Sequence, residues 1–171
     1  GTGLGPKGYG DYVAIFAITG IFGTLSNSGM ALAMMQHARR EGEDLAMVSS
    51  SCLSLALVSG AALSIVALPV VLGVVDSVSL LTAACFVLGE IMIAPIAVVA
   101  SELLLNRRGF GAFSRMRMIP LAARMILLVA LFWADHLDLA VLGPASLLLV
   151  AVVGAVQLGW VGRSTGVTIR L

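Results

Sequence analysis

The sequence predicts an all-α, polytopic membrane protein with five transmembrane helices, and three observations carry that prediction. Hydrophobic residues make up 60% of the 171 positions and charged residues only 11%, with a mean hydropathy of +1.08. Soluble domains hold about 45–50% apolar and about 25% charged residues, so polar groups are too few to cover this chain's outer surface and lipid must do so. The charges also fall into clusters separated by long apolar runs. Finally, those runs do not alternate with the period of two that barrel strands require.

Each run supplies one helix. Tyr12 to Ala38 and Leu45 to Val75 carry no charge. Ser77 to Leu105 is interrupted only by Glu90 and Glu102, and Met116 to Ala134 only by Arg117 and Arg124, while Leu139 to Gly162 is again uncharged. All reach the ~17–25 residues a helix needs to cross about 30 Å of hydrocarbon. In lipid, backbone groups must be satisfied within the segment, which favours the helix. The predicted spans are 12–36, 46–74, 78–105, 116–134 and 139–162. Arg39 and Arg40 follow the first, Arg107, Arg108, Arg115 and Arg117 surround the third junction, and Arg163 and Arg170 follow the fifth. The other side holds Lys7 beside Asp11, Asp76, Asp135 and Asp138. The positive-inside bias puts the Arg-bearing connections in the cytoplasm and the N-terminus outside.

The opening Gly3-Leu4-Gly5-Pro6-Lys7-Gly8 matches G-x-G-x-x-G. A dinucleotide loop needs a preceding strand and an acid about 20 positions on, and this stretch has neither. It reads as a tight turn in which Pro6 presets φ and Gly5 and Gly8 take positive φ, with Tyr9 and Tyr12 at the membrane interface. The chain starts without methionine in what reads as the middle of a loop, so it is expected to be a piece of a longer membrane protein with at least one span upstream.

Leu4-Gly5-Pro6-Lys7-Gly8-Tyr9-Gly10-x-Tyr12, a span ending in Gly29-Met30-Ala31-Leu32-Ala33, and then Arg39-Arg40 resemble the polysaccharide-biosynthesis flippases. These include the O-antigen and lipid-linked oligosaccharide translocases of the multidrug, oligosaccharidyl-lipid and polysaccharide exporter superfamily. The basic junction from Asn106 to Arg115 is similar to that family's connection between its fourth and fifth spans. The resemblance implies spans two to six, part of one half of a larger transporter in a bacterial inner membrane. It also implies export of a lipid-diphosphate-linked sugar from the cytoplasmic to the periplasmic leaflet by alternating access. Only the opening motif is specific to the family. Glu90 is a departure from its pattern, and the family's second half is absent.

Ionisable groups at membrane depth are costly and usually face the bundle interior. Glu90 lies near the middle of the third span with small neighbours at helical spacing, Ala83, Ala94, Ala97 and Ser101. It reads as an ion-coupling acid or as a structural partner of Arg124. Arg124 and Arg117, seven positions apart, form a basic ridge on one face of the fourth span. A guanidinium matches phosphate oxygens and keeps its charge, so Arg124 is expected to bind substrate, as is Arg117 unless it snorkels to the interface. Asn27 is a further substrate-binding candidate, and Gln157 a weaker one.

Small-residue stripes run through Gly20, Thr24 and Asn27 to Ala31, through Cys52, Ala56, Gly60 and Ser64, and through Ala151, Ala155 and Gly159. They are expected to let helices approach closely. Pro69, Pro95 and Pro120 are candidate kinks. Cys52 and Cys85 read as packing residues. Phe110 and Phe113 with the neighbouring arginines read as a short basic element lying on headgroups.

No residue set reads as catalytic, and neither the Asp135-His136-Leu137-Asp138 turn nor any other group is expected to hold a metal or cofactor. The expected partners are membrane lipids, the sugar-lipid substrate and the remaining helices of a full transporter, with no nucleic acid. Alternatives are a drug or cation antiporter of the same superfamily, an integral-membrane glycosyltransferase, and a structural membrane subunit.

Overall fold

A computed structural model describes residues 4–27, 36, 45–134 and 138–165. It is 93% helical with no strand among the described residues, and five helices are long and apolar enough to cross a membrane. The protein is a multi-pass, all-α bundle. The first helix, α1, is Gly5–Ser26 and α2 is Leu45–Val74. The third span is one rod in three parts: α3 (Leu80–Val87), a π-helical turn (Leu88–Ile93) and α4 (Ala94–Arg108). Helix α5 is Phe110–Trp133 and α6 is Leu139–Thr165.

The helix boundaries correct two expectations. The first helix starts at Gly5 rather than near 12, because Pro6 occupies its first turn. There the fixed φ is preorganised for a helix and the missing N–H costs nothing. The turn reading of the opening therefore fails: Gly5 does take φ +63°, but Gly8 lies inside the helix without positive φ. Residues 28–35, where the first span was expected to end, lie outside the described residues. Helix α5 starts at Phe110, so the expected basic element is split: Phe110, Phe113 and Arg115 form the first turns of α5, while Arg107 and Arg108 end α4. Gly109, at φ +81°, makes the break from α4.

The third span is the hub. It packs against α1, α2, α5 and α6, while α1 pairs with α2 on one flank and α5 with α6 on the other. Backbones approach closely where glycines lie: a methyl added at Gly60 would lie 2.6 Å from the Ile91 carbonyl oxygen. One added at Gly23 would lie 3.1 Å from the Glu90 carbonyl oxygen, and one at Gly143 would lie 3.0 Å from Thr82 Cγ2. Ser79 caps α3, accepting from the Thr82 N–H at 3.2 Å, and the Ser77 hydroxyl in the α2–α3 turn donates to Asp11 of α1. The apolar core forms two clusters. One, around Ile15, Val71, Phe86 and Leu142, ends at Ile91, and the other, around Leu53, Val99, Leu103 and Met116, lies toward the Arg-rich end.

Of the three predicted stripes, Cys52, Ala56, Gly60 and Ser64 are buried as expected. The other two are one step out of phase. Gly20, Thr24, Ala155 and Gly159 are exposed, whereas Ile15, Thr19, Gly23 and Ser26 of α1 and Gly154 and Gln157 of α6 face inward. Cys52 and Cys85 are free and buried.

Candidate intramembrane ion-pair site

Glu90 and Arg124 meet at a π turn. Pro95 has no N–H to give to the carbonyl four residues earlier, and its ring crowds that carbonyl. The chain widens just before it: the Ala94 N–H reaches Gly89 instead, five residues back. π turns of this kind recur at functional sites. Glu90 sits inside the widened turn, and Arg124 donates to its carboxylate from α5. Both side chains are mostly shielded, 18% exposed for Arg124 and 14% for Glu90. The guanidinium carbon of Arg124 also lies 4.9 Å from the Phe16 ring centroid on α1, a cation–π geometry. Tyr12, expected at the interface, packs on Phe16 at 6.0 Å and on Phe86 at 6.1 Å, while Tyr9 is exposed. The pair thus bridges α1 and α5 across the hub.

Two clefts share the Glu90 end of this bridge. The first, about 500 Å³, is walled mainly by apolar groups, including Ala94, Ala97, Val98, Pro120, Leu121, Leu149 and Val153, with Glu90, Arg117 and Arg124 as its charged members. The second, about 420 Å³, is polar: Thr19, Thr24 and Asn27 from α1, Glu90 and Glu102 from the third span, and Arg117 from α5. Arg117 therefore lines both clefts, and Arg124 lines the first. Arg117 is exposed, and its guanidinium carbon lies 5.6 Å from the Phe113 ring centroid. Asn27 lines the second cleft, as does Glu102. Gln157 does not face either cleft. Its Nε2 donates to the Met116 carbonyl at 2.9 Å, tying α6 to α5.

Glu102 is the residue that sequence reasoning missed. At about 100° per residue, Ser101 should share the face of Glu90 and Glu102 should lie about 120° away. The extra residue taken up by the π turn shifts the register. Ser101 is fully buried and bonds back to the Val98 carbonyl at 2.7 Å, and Glu102 takes the cleft-facing position. Pro95 inside a long apolar run was the available signal. The side chains of Arg107 and Arg108, and His37, Arg39, Arg40, Asp135, His136 and Arg170, lie outside the described residues. Among the described residues, no three His, Cys, Asp or Glu side chains come together.

A mostly shielded acid–base pair on the wall of an apolar cleft, its acid shared with a more polar cleft, can neutralise a charge in transit, or exchange its partner for one. Comparison with known protein families, with curated proteins and with solved structures finds no match to this chain.

Proposed function

We propose that this chain forms part of one half of a bacterial inner-membrane transporter that moves a lipid-diphosphate-linked oligosaccharide between leaflets by alternating access. The observation that carries the reading is Arg124, held by Glu90 and Phe16 on the wall of the apolar cleft, with Glu90 and Arg117 lining both clefts. An apolar wall suits a polyprenyl chain, and a guanidinium fork suits a diphosphate. Glu90 supplies the counter-charge that keeps Arg124 satisfied when no substrate is bound, since an unpaired charge at that depth is costly. The opening motif from Leu4 to Tyr12 supports the same reading by resemblance.

The test is transbilayer movement of a fluorescent polyprenyl-diphosphate sugar by the purified protein in vesicles, followed by chemical quenching of the outer leaflet. Arg124→Ala abolishes movement, and Arg124→Lys lowers the rate at least tenfold because the bidentate fork is lost. Normal movement by both variants overturns the assignment.

The Glu90–Arg124 pair also favours a second reading, a drug or cation antiporter of the same superfamily with Glu90 as the coupling acid. In that case Glu90→Gln uncouples transport while Arg117→Ala leaves it intact.

A further inference from the structure

Helix α5 carries a proline between its two arginines, and the gap that proline leaves in the helix is filled from α6. Pro120 lies inside α5, after Arg117 and before Arg124. It has no N–H to give to the Met116 carbonyl, and its ring crowds that oxygen. Proline is tolerated in a membrane helix when neighbouring groups satisfy what it frees. The third span meets this need at Pro95 by widening its own turn. Helix α5 stays α-helical from Phe110 to Trp133 and takes an outside donor instead, the Gln157 Nε2, at 2.9 Å from the Met116 oxygen. Gln157 is only 2% exposed, and its Oε1 is buried with no donor among the described residues. The reverse orientation of the amide would set two oxygens against each other. A buried polar atom without a partner is costly, and leucine would fill the position without that cost. The position therefore carries an unpaired oxygen for the sake of one N–H.

The bond sits where it governs the arginines. Met116, Arg117, Pro120 and Arg124 line the apolar cleft from α5, and Val153 lines it from α6, one helical turn before Gln157. A proline bend is only as fixed as the partner of its freed carbonyl. The side chain holding that carbonyl thus sets the angle between the half of α5 that bears Arg117 and the half that bears Arg124. We propose that Gln157 is the positioning residue of the two arginines: by standing in for the N–H that Pro120 lacks, it fixes the bend of α5 and with it the spacing of the guanidiniums along the cleft. Its effect on binding rests on the reading of both arginines as diphosphate ligands, and its hold on the bend does not.

The test reads the bend itself. With Cys52 and Cys85 replaced by alanine, spin labels on cysteines placed at Gly111 and Trp133, both exposed, span about 33 Å of α5 at 1.5 Å per residue. Pulsed electron paramagnetic resonance on the protein in lipid nanodiscs gives their distance distribution. Gln157→Leu is expected to broaden it with little change in Tm. Pro120→Ala, which restores a donor within α5, is expected to lengthen the distance, and in that background Gln157→Leu changes nothing. The same distribution in the native and Gln157→Leu proteins overturns the proposal, as does an equal change in both backgrounds. If Gln157→Leu does not fold, Gln157→Met makes the same comparison. Movement of polyprenyl-diphosphate sugar in vesicles then extends the test to the arginines: Gln157→Leu raises KM at least tenfold and leaves kcat within about twofold, and an unchanged KM overturns the positioning role. If the native protein moves no sugar lipid, the transport reading fails, and the distance distributions decide the role of Gln157 by themselves.

Discussion

The third span and α5 hold the two ends of one ion pair in opposite settings. Half of the third span's membrane window is buried inside the bundle, against 6% for α5. The third span is held by backbone contact at glycines on its neighbours, Gly23, Gly60 and Gly143. Helix α5 has one fully enclosed side chain, Met116, and is held by polar tethers: Arg124 to Glu90, Arg124 over Phe16, and the Met116 carbonyl to Gln157. Lipid tails are as apolar as leucine, so burial alone does not drive helices together in a membrane. Close backbone approach and polar contacts must do it, and this bundle divides the two means between two helices. Helix α5 packs along α4 and α6 but encloses almost none of its own side chains, so polar tethers carry more of its placement than they do for the third span.

That contrast can be broken from either side. The largest effect is expected from Arg124→Leu, which strands the Glu90 carboxylate and lowers stability by about 3–5 kcal/mol. The double variant Arg124→Leu/Glu90→Leu returns close to the native value, because a matched apolar pair leaves no uncompensated charge. Denaturant titration in detergent checks both. Equal losses in the single and double variants would mean that the pair does not tether α5.

At the hub, Gly60→Ala puts a methyl group 2.6 Å from the Ile91 oxygen and 3.1 Å from Met92 Cα. Overpacking against backbone costs about 1–3 kcal/mol. The control is Gly159→Ala, where nothing lies within 4 Å, and the same titration should show a change below about 0.5 kcal/mol. Similar values for the two would remove the argument for a close-packed hub. The smallest effect is expected from Gln157→Leu, which deletes the α5–α6 hydrogen bond, and such bonds between membrane helices average about 0.6 kcal/mol. A cross-linking assay between cysteines on α5 and α6 sharpens this: the rate should rise in Gln157→Leu if the tether limits α5 motion.

The spans were legible in the sequence because length and hydropathy are set by the membrane, and five helices stand where five apolar runs were read. Their rotation was much less so. A helix that is apolar all round has no amphipathic face from which to read which side turns inward. The stripe through Gly20 was accordingly read one step away from the buried Gly23, and that through Ala155 one step away from Gly154. The charged groups fared better. Glu90 and Arg124 meet as one of the two readings of Glu90 had it, because a charge at membrane depth has few places to go. Glu102 stayed hidden, since finding it required knowing that the helix widens before Pro95.

The π turn gives this region an unusual relation between the length of the chain and its shape. In a regular helix an added residue pushes everything beyond it outward and around. Here the added residue is absorbed sideways, so the rod stays one continuous span and α4 keeps the facing it would have in a helix one residue shorter. A one-residue deletion between Leu88 and Ile93 would close the turn to regular helix and leave Glu102 toward the cleft and Ser101 buried. The turn is thus a length buffer, a place where the chain can shorten by one residue without changing which side chains line the wall beyond it.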